Sequence, residues 1–225
     1  RQGTRASRRD AVCIAWNWSW SFYGRHAERR IIRSLPRGVT LMADFERGGT
    51  RRMPDGTPVF VDEYSLGYVG PSPRFRRAID AAERRGMDVM AKLQVGTTHE
   101  LATVPNLPLL HHLYTKLRTC EQAGLAGMVA TWNFGNAFSL NTALVRRMAS
   151  HPERGEPAEF VRRLAAEVFP ACDSRGVSAA VARFEQAMEH YPFDMPLLYH
   201  GPMNYAPVVP LTLDPLEGTF PGWSC

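Results

Sequence analysis

The chain has 225 residues, of which 44% are hydrophobic and 22% charged, with 18 Gly and 17 Pro. This composition indicates one globular domain, alone or with a small extension, and it excludes collagen, extensive disorder and small disulfide scaffolds. No apolar run approaches the ~20 residues of a membrane span, and the polar start of the chain lacks the apolar core of a signal peptide. The first residue is not Met, so we expect an N-terminal portion of the same protein to precede it, and no compartment is predicted.

The net charge of +5 comes almost entirely from arginine, because only Lys92 and Lys116 among the 27 basic residues are lysines. The arginines occur as scattered doublets rather than as one basic block, so we predict no nucleic-acid partner. The cysteines are far apart and include no Cys-x-x-Cys pair, which argues against a structural zinc site: Cys13, Cys120, Cys172 and Cys225. We therefore expect no metal, no cofactor and no membrane partner.

Strand-like and helix-like segments alternate over the first two thirds of the chain, which is typical of βα units with a mainly parallel sheet. Five short apolar runs are predicted strands: Ala11–Trp18, Val39–Phe45, Val59–Tyr64, Met87–Val95 and Gly127–Trp132. The second and third runs are joined by a polar, glycine-rich loop instead of a crossover helix. This connection is the least defined part of the predicted topology.

Apolar residues at helical spacing predict the helices between and after these strands. One helix carries Ala27, Ile31, Ile32 and Leu35; the next begins at Ser72 and Pro73 and ends at Gly86; a third carries Leu110, Leu113, Leu117 and Cys120 and ends at Gly124. His151–Pro157 is a predicted linker. Two amphipathic helices follow it, around Phe160–Val168 and Val177–Met188, before an irregular segment that begins at Pro192.

Polar and aromatic residues gather where the predicted strands end, which in parallel βα folds is where reactive groups lie. In strand order they are Trp16, Asn17 and Trp18; Asp44 and Glu46; Asp62, Glu63 and Tyr64; Gln94, His99 and Glu100; and Trp132 and Asn133. We expect these carboxylates and indoles to share one rim.

Carboxylates beside flat aromatic surfaces are what glycoside cleavage requires. One carboxylic acid protonates the leaving oxygen, a second group stabilises the developing positive charge, and aromatic rings cover the apolar face of the sugar. Taken singly, each Trp is more simply a core residue and each carboxylate a helix cap or an ion-pair partner. The repetition over successive strand ends favours a site.

Other chemistries have less support in the sequence. Phosphate-binding glycine loops, a Gly-x-Ser-x-Gly elbow and a His-Glu-x-x-His motif are absent. A metal hydrolase that uses Asp44, Asp62, His99 and Glu100 remains an open alternative, although their spacing matches no standard ligand pattern.

Several short stretches resemble a group of largely uncharacterised bacterial proteins akin to (β/α)8-barrel glycoside hydrolases, in the neighbourhood of the β-hexosaminidases. They are Ala15–Trp18, Glu63–Ser72, Ala91–Val95 with Glu100, and Thr131–Gly135. In addition, Tyr191–Phe193 and Tyr199–Pro202 resemble the helical region after the barrel. The resemblance implies a sugar-cleaving site, with Glu100 matching the strand-end glutamate of the group. Asp62 and Glu63 are similar to the adjacent Asp-Glu pair of family 20 hexosaminidases, in which Glu is the general acid and Asp orients the substrate acetamido group. The His-x-Gly-Gly leader of that motif is absent here.

The resemblance also implies a fold, because a complete barrel has eight βα units in about 250 residues. With five strand candidates, we expect residues 1–150 to be the C-terminal part of a (β/α)8 TIM-type barrel that carries the catalytic site. Residues 151–225 are expected to form a helical and irregular extension.

The predicted function is that of a glycoside hydrolase with a carbohydrate substrate, with β-N-acetylhexosaminidase-like activity as one form of it. Glu100 and Glu63 are the predicted acid/base and nucleophile or stabiliser, in an order that the sequence does not assign, and Asp62 is the third catalytic candidate. The predicted substrate-binding residues are Trp16, Asn17, Trp18, Asp44, Glu46, Tyr64, Gln94, His99, Trp132 and Asn133. The alternative is a carbohydrate-binding or scaffold module without catalysis.

Overall fold

The computed structural model describes residue 8 and residues 10–24, 26–101, 104–130, 137–151 and 155–191. Six strands lie in this part of the chain: β1 Cys13–Trp16, β2 Val39–Asp44, β3 Gly49–Arg52, β4 Pro58–Val61, β5 Val89–Leu93 and β6 Gly127–Ala130. Four of them form a parallel sheet in the order β1-β2-β5-β6. The predicted α/β class with a mainly parallel sheet is confirmed.

A 3-10 helix, Trp18–Tyr23, follows β1, and seven α-helices lie in the described residues. They are α1 Ala27–Ser34, α2 Pro73–Glu83, α3 Thr98–Leu101, α4 Leu110–Gln122, α5 Leu140–Ser150, α6 Pro157–Val168 and α7 Ser174–His190. The Ser72 hydroxyl accepts a hydrogen bond from the Phe75 N–H, and Pro73 occupies the first turn of α2, as its sequence predicts. The predicted helices α1, α2, α4, α6 and α7 are confirmed.

The third predicted strand, Val59–Tyr64, is not a member of the parallel sheet. Its first residues form β4, which pairs antiparallel with β3 in a separate hairpin, with Arg52 opposite Pro58. The intervening turn is far too short for a crossover, which needs roughly a dozen residues to bring two strands parallel. Asp62, Glu63 and Tyr64 therefore reach the rim from the segment after a hairpin rather than from the end of a sheet strand.

The parallel sheet has two different faces, because successive strand residues alternate in direction. One face is packed against the helices and contributes to the hydrophobic core: Leu41, Ala43, Val89, Ala91 and Leu93. The other face, which we call the open face, carries Ile14, Trp16, Met42, Asp44, Met90, Lys92 and Val129. Ile14 is 47% exposed and Val129 37% exposed, so apolar side chains of the open face meet solvent.

Helices α5, α6 and α7 join the same core as the sheet. Leu144, Phe160, Leu164 and Val181 are buried in one cluster with the residues of β2 and β5. Helix α5 is absent from the sequence prediction, although Ser139 begins it with a capping box in which its side chain and that of Thr142 bond each other's backbone N–H. The boundary at residue 150 stays a prediction, and the segment from Pro192 lies outside the described residues.

Candidate functional site

The carboxyl ends of β1, β2 and β5, together with the segment after β4, bring several of the predicted site residues together. We call this group the strand-end cluster: Trp16, Trp18, Asp44, Glu46, Glu63, Tyr64, Lys92 and Gln94. Hydrogen bonds, a ring contact and mutual electrostatic interactions connect its members. The shared rim expected from the sequence is therefore present for these residues.

Asp44, the last residue of β2, is fixed at the centre of this cluster. Its Oδ1 accepts from Trp16 Nε1 at 2.8 Å and its Oδ2 from Arg74 Nη1 at 3.0 Å. Burial raises the pKa of the Asp44 carboxyl, and the hydrogen bond from Trp16 and the charge of Arg74 oppose that rise. With both oxygens occupied, Asp44 is a carboxylate that orients its neighbours.

Asn17 is buried, and its side chain is used within the protein. Its Oδ1 accepts from the backbone N–H of Asp44 at 3.0 Å, and its Nδ2 donates to Glu28. Arg74, at the start of α2, donates to Glu28 Oε2 at 3.1 Å and to the Asn17 carbonyl at 2.6 Å. These bonds tie the first βα unit to α2 and leave Asn17 as a positioning residue beneath the rim.

Glu63 is the most accessible carboxylate of the cluster, with 7% of its surface exposed, and we call this accessible side of the cluster its opening. Its Oε2 accepts from Trp18 Nε1 at 3.0 Å. Burial raises the pKa of the Glu63 carboxyl, and the Trp18 hydrogen bond and the Arg47 charge oppose the rise. A carboxyl of this kind holds its proton to higher pH than an exposed glutamate, as a general acid must.

Arg47 contacts Trp18 and Asp62 beside Glu63. Its guanidinium lies 5.3 Å from the centre of the Trp18 ring, and its Nη1 donates to the Trp18 carbonyl at 2.5 Å. Its Nε lies 3.6 Å from Asp62 Oδ1, and the Asp62 side chain is far more exposed than that of Glu63. The adjacent acids thus differ in environment, with Glu63 inside and Asp62 facing solvent beside a cation.

Glu46 connects β2 to β5 and to α4. Its Oε1 accepts from the Gln94 backbone N–H at 2.9 Å and from Lys116 Nζ at 2.8 Å. Lys116 also donates to the Ser65 carbonyl at 2.6 Å, and both members of the ion pair are fully buried. Removing either member of such a pair leaves a buried charge without a partner, so Glu46 and Lys116 act together as a structural unit.

Lys92 extends from β5 into the cluster, with its Nζ 4.2 Å from the centre of the Tyr64 ring. Burial lowers the pKa of the Lys92 ammonium to about 8. The His99 ring also contacts Tyr64, edge-on and with 5.5 Å between the ring centres. Burial and the charge of Lys92 lower the pKa of His99 to about 4, so His99 is neutral at pH 7.

Glu100, a predicted catalytic residue, is 1% exposed and binds a turn instead of facing the opening. Its carboxyl accepts from Ser65 Oγ at 2.6 Å, from the Leu66 N–H at 2.9 Å and from the Gly67 N–H at 3.0 Å. Burial raises the pKa of this carboxyl, and the three donors oppose the rise. These contacts favour a positioning role for Glu100, in which it holds the turn after Tyr64 in place.

Four cations that organise the rim are not among the site residues expected from the sequence. Arg47, Arg74, Lys92 and Lys116 are all buried beside the predicted carboxylates. A charged residue inside an apolar pattern indicates a buried cation that needs a partner. Lys92 interrupts a buried strand in this way, and Lys116 interrupts the apolar face of α4. Trp132 and Asn133, predicted to bind substrate, lie outside the described residues.

Within the described ranges, no group of three or more His, Cys, Asp or Glu side chains is arranged to hold a metal ion. None of the helices in those ranges is long and apolar enough to cross a membrane. Comparison of the chain with protein-family models, with curated proteins and with solved structures finds no match.

Proposed function

We propose that this chain is part of a glycoside hydrolase with Glu63 as its general acid. The observation that carries the proposal is the contrast within the Asp62–Glu63 pair. Glu63 is buried, has a raised pKa and is held by the Trp18 indole, whereas Asp62 is exposed beside Arg47. Because the two environments differ in this way, we assign Glu63 as the proton donor and Asp62 as the second carboxyl of the pair.

The fold that we propose for this function is the C-terminal part of a (β/α)8 barrel. The four parallel strands follow each other across the sheet in chain order, without the reversal that marks a doubly wound sheet. The helices pack against the face of β2 and β5 that carries Leu41, Ala43, Val89, Ala91 and Leu93, as helices pack against the outside of a barrel. The half-exposed open face corresponds in this proposal to the barrel interior.

In the proposed reaction, Glu63 gives its proton to the glycosidic oxygen while the bond from that oxygen to the anomeric carbon breaks. Asp62, beside Arg47, orients the acetamido group of the substrate, whose carbonyl oxygen bonds to the anomeric carbon as the positive charge develops there. Trp18 holds the Glu63 carboxyl and presents part of its ring to the sugar. Asp44, Glu46 and Glu100 keep the surrounding segments in place.

The test compares aryl N-acetyl-β-glucosaminides with good and poor leaving groups, using the full-length protein. Glu63→Gln is expected to lose about 10²–10⁴-fold in kcat/KM on the phenyl glycoside, because its leaving oxygen needs a proton. On the 2,4-dinitrophenyl glycoside, whose leaving group departs as an anion, the loss is expected to be much smaller. Asp62→Asn should lose activity on both substrates.

Two further variants complete the design. Glu159→Gln changes an exposed glutamate of α6 and should leave both rates unchanged. Glu100→Gln is expected to lower the melting temperature, because an amide N–H2 would face the Ser65, Leu66 and Gly67 donors. Equal losses by Glu63→Gln on the two leaving groups would contradict its role as the acid. If Glu100→Gln is folded and loses only kcat, Glu100 has a catalytic role, as predicted from the sequence.

A carbohydrate-binding module without catalysis is the second candidate, favoured by one specific observation. Asp44, Glu46 and Glu100 are buried and hold structural hydrogen bonds, so most carboxylates of the rim serve the fold. This candidate predicts sugar binding that survives Glu63→Gln, with no turnover of any aryl glycoside by the wild type.

A further inference from the structure

The Lys92 ammonium is the unusual group of the strand-end cluster. The residue is 1% exposed, and within the described part of the chain its Nζ has no hydrogen-bond acceptor. The Nζ lies over the face of the Tyr64 ring, 4.2 Å from its centre. A buried ammonium has three donors and a full charge to satisfy, so a partner that arrives with a ligand would relieve a large desolvation cost.

The charged groups around Lys92 do not supply that partner. Asp44 is bound by Trp16 and Arg74, Glu46 Oε1 by Lys116 and the Gln94 N–H, and Glu63 Oε2 by Trp18. The titratable groups that act on Lys92 or respond to it are Asp44, Glu46, Glu63, Lys116 and His99. The hydrogen bonds of Asp44, of Glu46 Oε1 and of Glu63 Oε2 thus come from donors other than Lys92.

Buried polar atoms of Gln94 and Glu46 also lack a hydrogen-bond partner among the described residues. They are Oε1 and Nε2 of Gln94 and Oε2 of Glu46. Gln94 follows Lys92 by two positions, which puts both on the open face. Val129, in register with Lys92 on β6, is among the exposed residues of that face. The unpaired Lys92 ammonium could bind an anionic group of a sugar, and the free atoms of Gln94 and Glu46 could bind its hydroxyls.

We propose that Lys92 binds an anionic substituent, a carboxylate or a sulfate, on the sugar that occupies this cluster, and that Gln94 bonds a hydroxyl of the same sugar. The sugar in this inference rests on the proposed function, whereas the anionic partner rests on Lys92 itself. The substrate class is therefore an acidic glycan, built from uronic acids or sulfated sugars.

The composition of the chain allows a direct test, because Lys92 and Lys116 are its only lysines. Protein labelled with 13C and 15N in lysine gives two side-chain signals by NMR, of which Lys116, paired with Glu46, is the internal reference. The pH titration is recorded with D-glucuronate, with N-acetylglucosamine 6-sulfate, with N-acetylglucosamine and with inorganic sulfate. An acidic sugar should move the Lys92 signal and raise its pKa from about 8 toward the ordinary value near 10.5, while neutral sugar should not.

The arms of this titration separate the sources of the anion. A response to glucuronate identifies a carboxylate, and a response to the 6-sulfate but not to inorganic sulfate identifies a sulfated sugar. A response to inorganic sulfate equal to that of either sugar would overturn the proposal, because it would show an adventitious ion only. Unchanged Lys92 signals with both acidic sugars would also overturn it.

Variants keep the inference separate from the proposed function. Lys92→Met should weaken binding of the acidic sugar by about tenfold or more by calorimetry, and Lys92→Arg should retain most of it. Binding of acidic sugars without cleavage of any glycoside supports this inference and contradicts the hydrolase. Cleavage of neutral glycosides that Lys92→Met leaves unchanged, with no binding of acidic sugars, supports the hydrolase and overturns the inference.

Discussion

Buried carboxylates in this chain differ in how many of their lone pairs the protein uses. Glu100 accepts three hydrogen bonds and Asp44 two from charged or indole donors, so each has its geometry fixed. Glu63 receives its bond from Trp18 and remains partly accessible at the opening. Glu63 is therefore the carboxyl to which we assign the chemistry in the proposed function.

The Trp18 hydrogen bond sets how far the Glu63 carboxyl holds its proton. Because the indole N–H stabilises the charged form, Trp18→Phe should raise the pKa of Glu63 further. A general acid works when protonated, so the alkaline limb of the kcat/KM profile should move to higher pH in Trp18→Phe. Trp20→Phe, which changes a neighbouring indole outside the cluster, should leave the limb where it is.

Lys92 gives stability a pH dependence of defined sign. Its pKa is about 8 in the folded protein and near 10.5 when exposed, so between these values the unfolded chain binds more protons. Unfolding free energy should therefore rise from pH 8 to pH 10.5, by on the order of 3 kcal/mol from this group.

The Lys92 effect is isolated by the difference between wild type and Lys92→Met in urea unfolding. Lys92→Met should be the more stable protein at pH 7, and the difference should shrink as the pH rises, because the methionine carries no charge to desolvate. A difference that is constant over this range would show that the ammonium is solvated in the folded protein.

At the scale of elements, the β3–β4 hairpin depends on a close approach at Gly49. A Cβ at Gly49 would lie 2.4 Å from Cζ of Tyr68, so Gly49→Ala must displace that ring. We expect a loss of about 1–3 kcal/mol in unfolding free energy, as for other overpacked positions. The loss should disappear in a Tyr68→Ala background, and Gly127→Ala, which meets only the flexible end of Met90, should cost less. An equal loss in both backgrounds would place the cause elsewhere.

The elements that sequence predicts well are those specified by neighbouring residues. Ser72 with Pro73 defines the start of α2, and the apolar stripe of α4 defines its buried face. Val59–Tyr64 contains part of a strand, as its apolar run predicts, but its expected place in the parallel sheet is wrong, because a short apolar run does not reveal whether its partner is parallel or antiparallel. The strand ends indicated where the candidate site lies, but not that Glu100 would bind a turn.

The ion-pair partners in the site come from distant parts of the chain, and for that reason the sequence does not predict which residues pair. Lys116 meets Glu46 across 70 residues, and Arg74 meets Asp44 across 30. No local pattern links such pairs. A buried charge inside an apolar pattern shows only that a partner is needed.

At the scale of the whole molecule, the open face and the sheet edges leave apolar surface available. Strands β1 and β6 each pair on one side only within the described residues, and Ile14 lies exposed on β1. We expect the 225-residue chain alone to associate with increasing concentration, as measured by light scattering after size exclusion. Ile14→Lys should reduce the association, whereas Phe184→Lys, at an exposed position of α7, should not. A monomer at all concentrations would contradict this reading of the open face.

Both lysines of the chain lie inside the folded protein. An amine-directed acylating reagent therefore finds no lysine on the native surface, and each reacts only when its surroundings open. Lys116 is held by a buried ion pair and Lys92 by a ring contact, so the two should label at different rates, with Lys92 first. Mass spectrometry of the two acylated peptides would then measure, in one sample, how readily the site opens relative to the helix behind it.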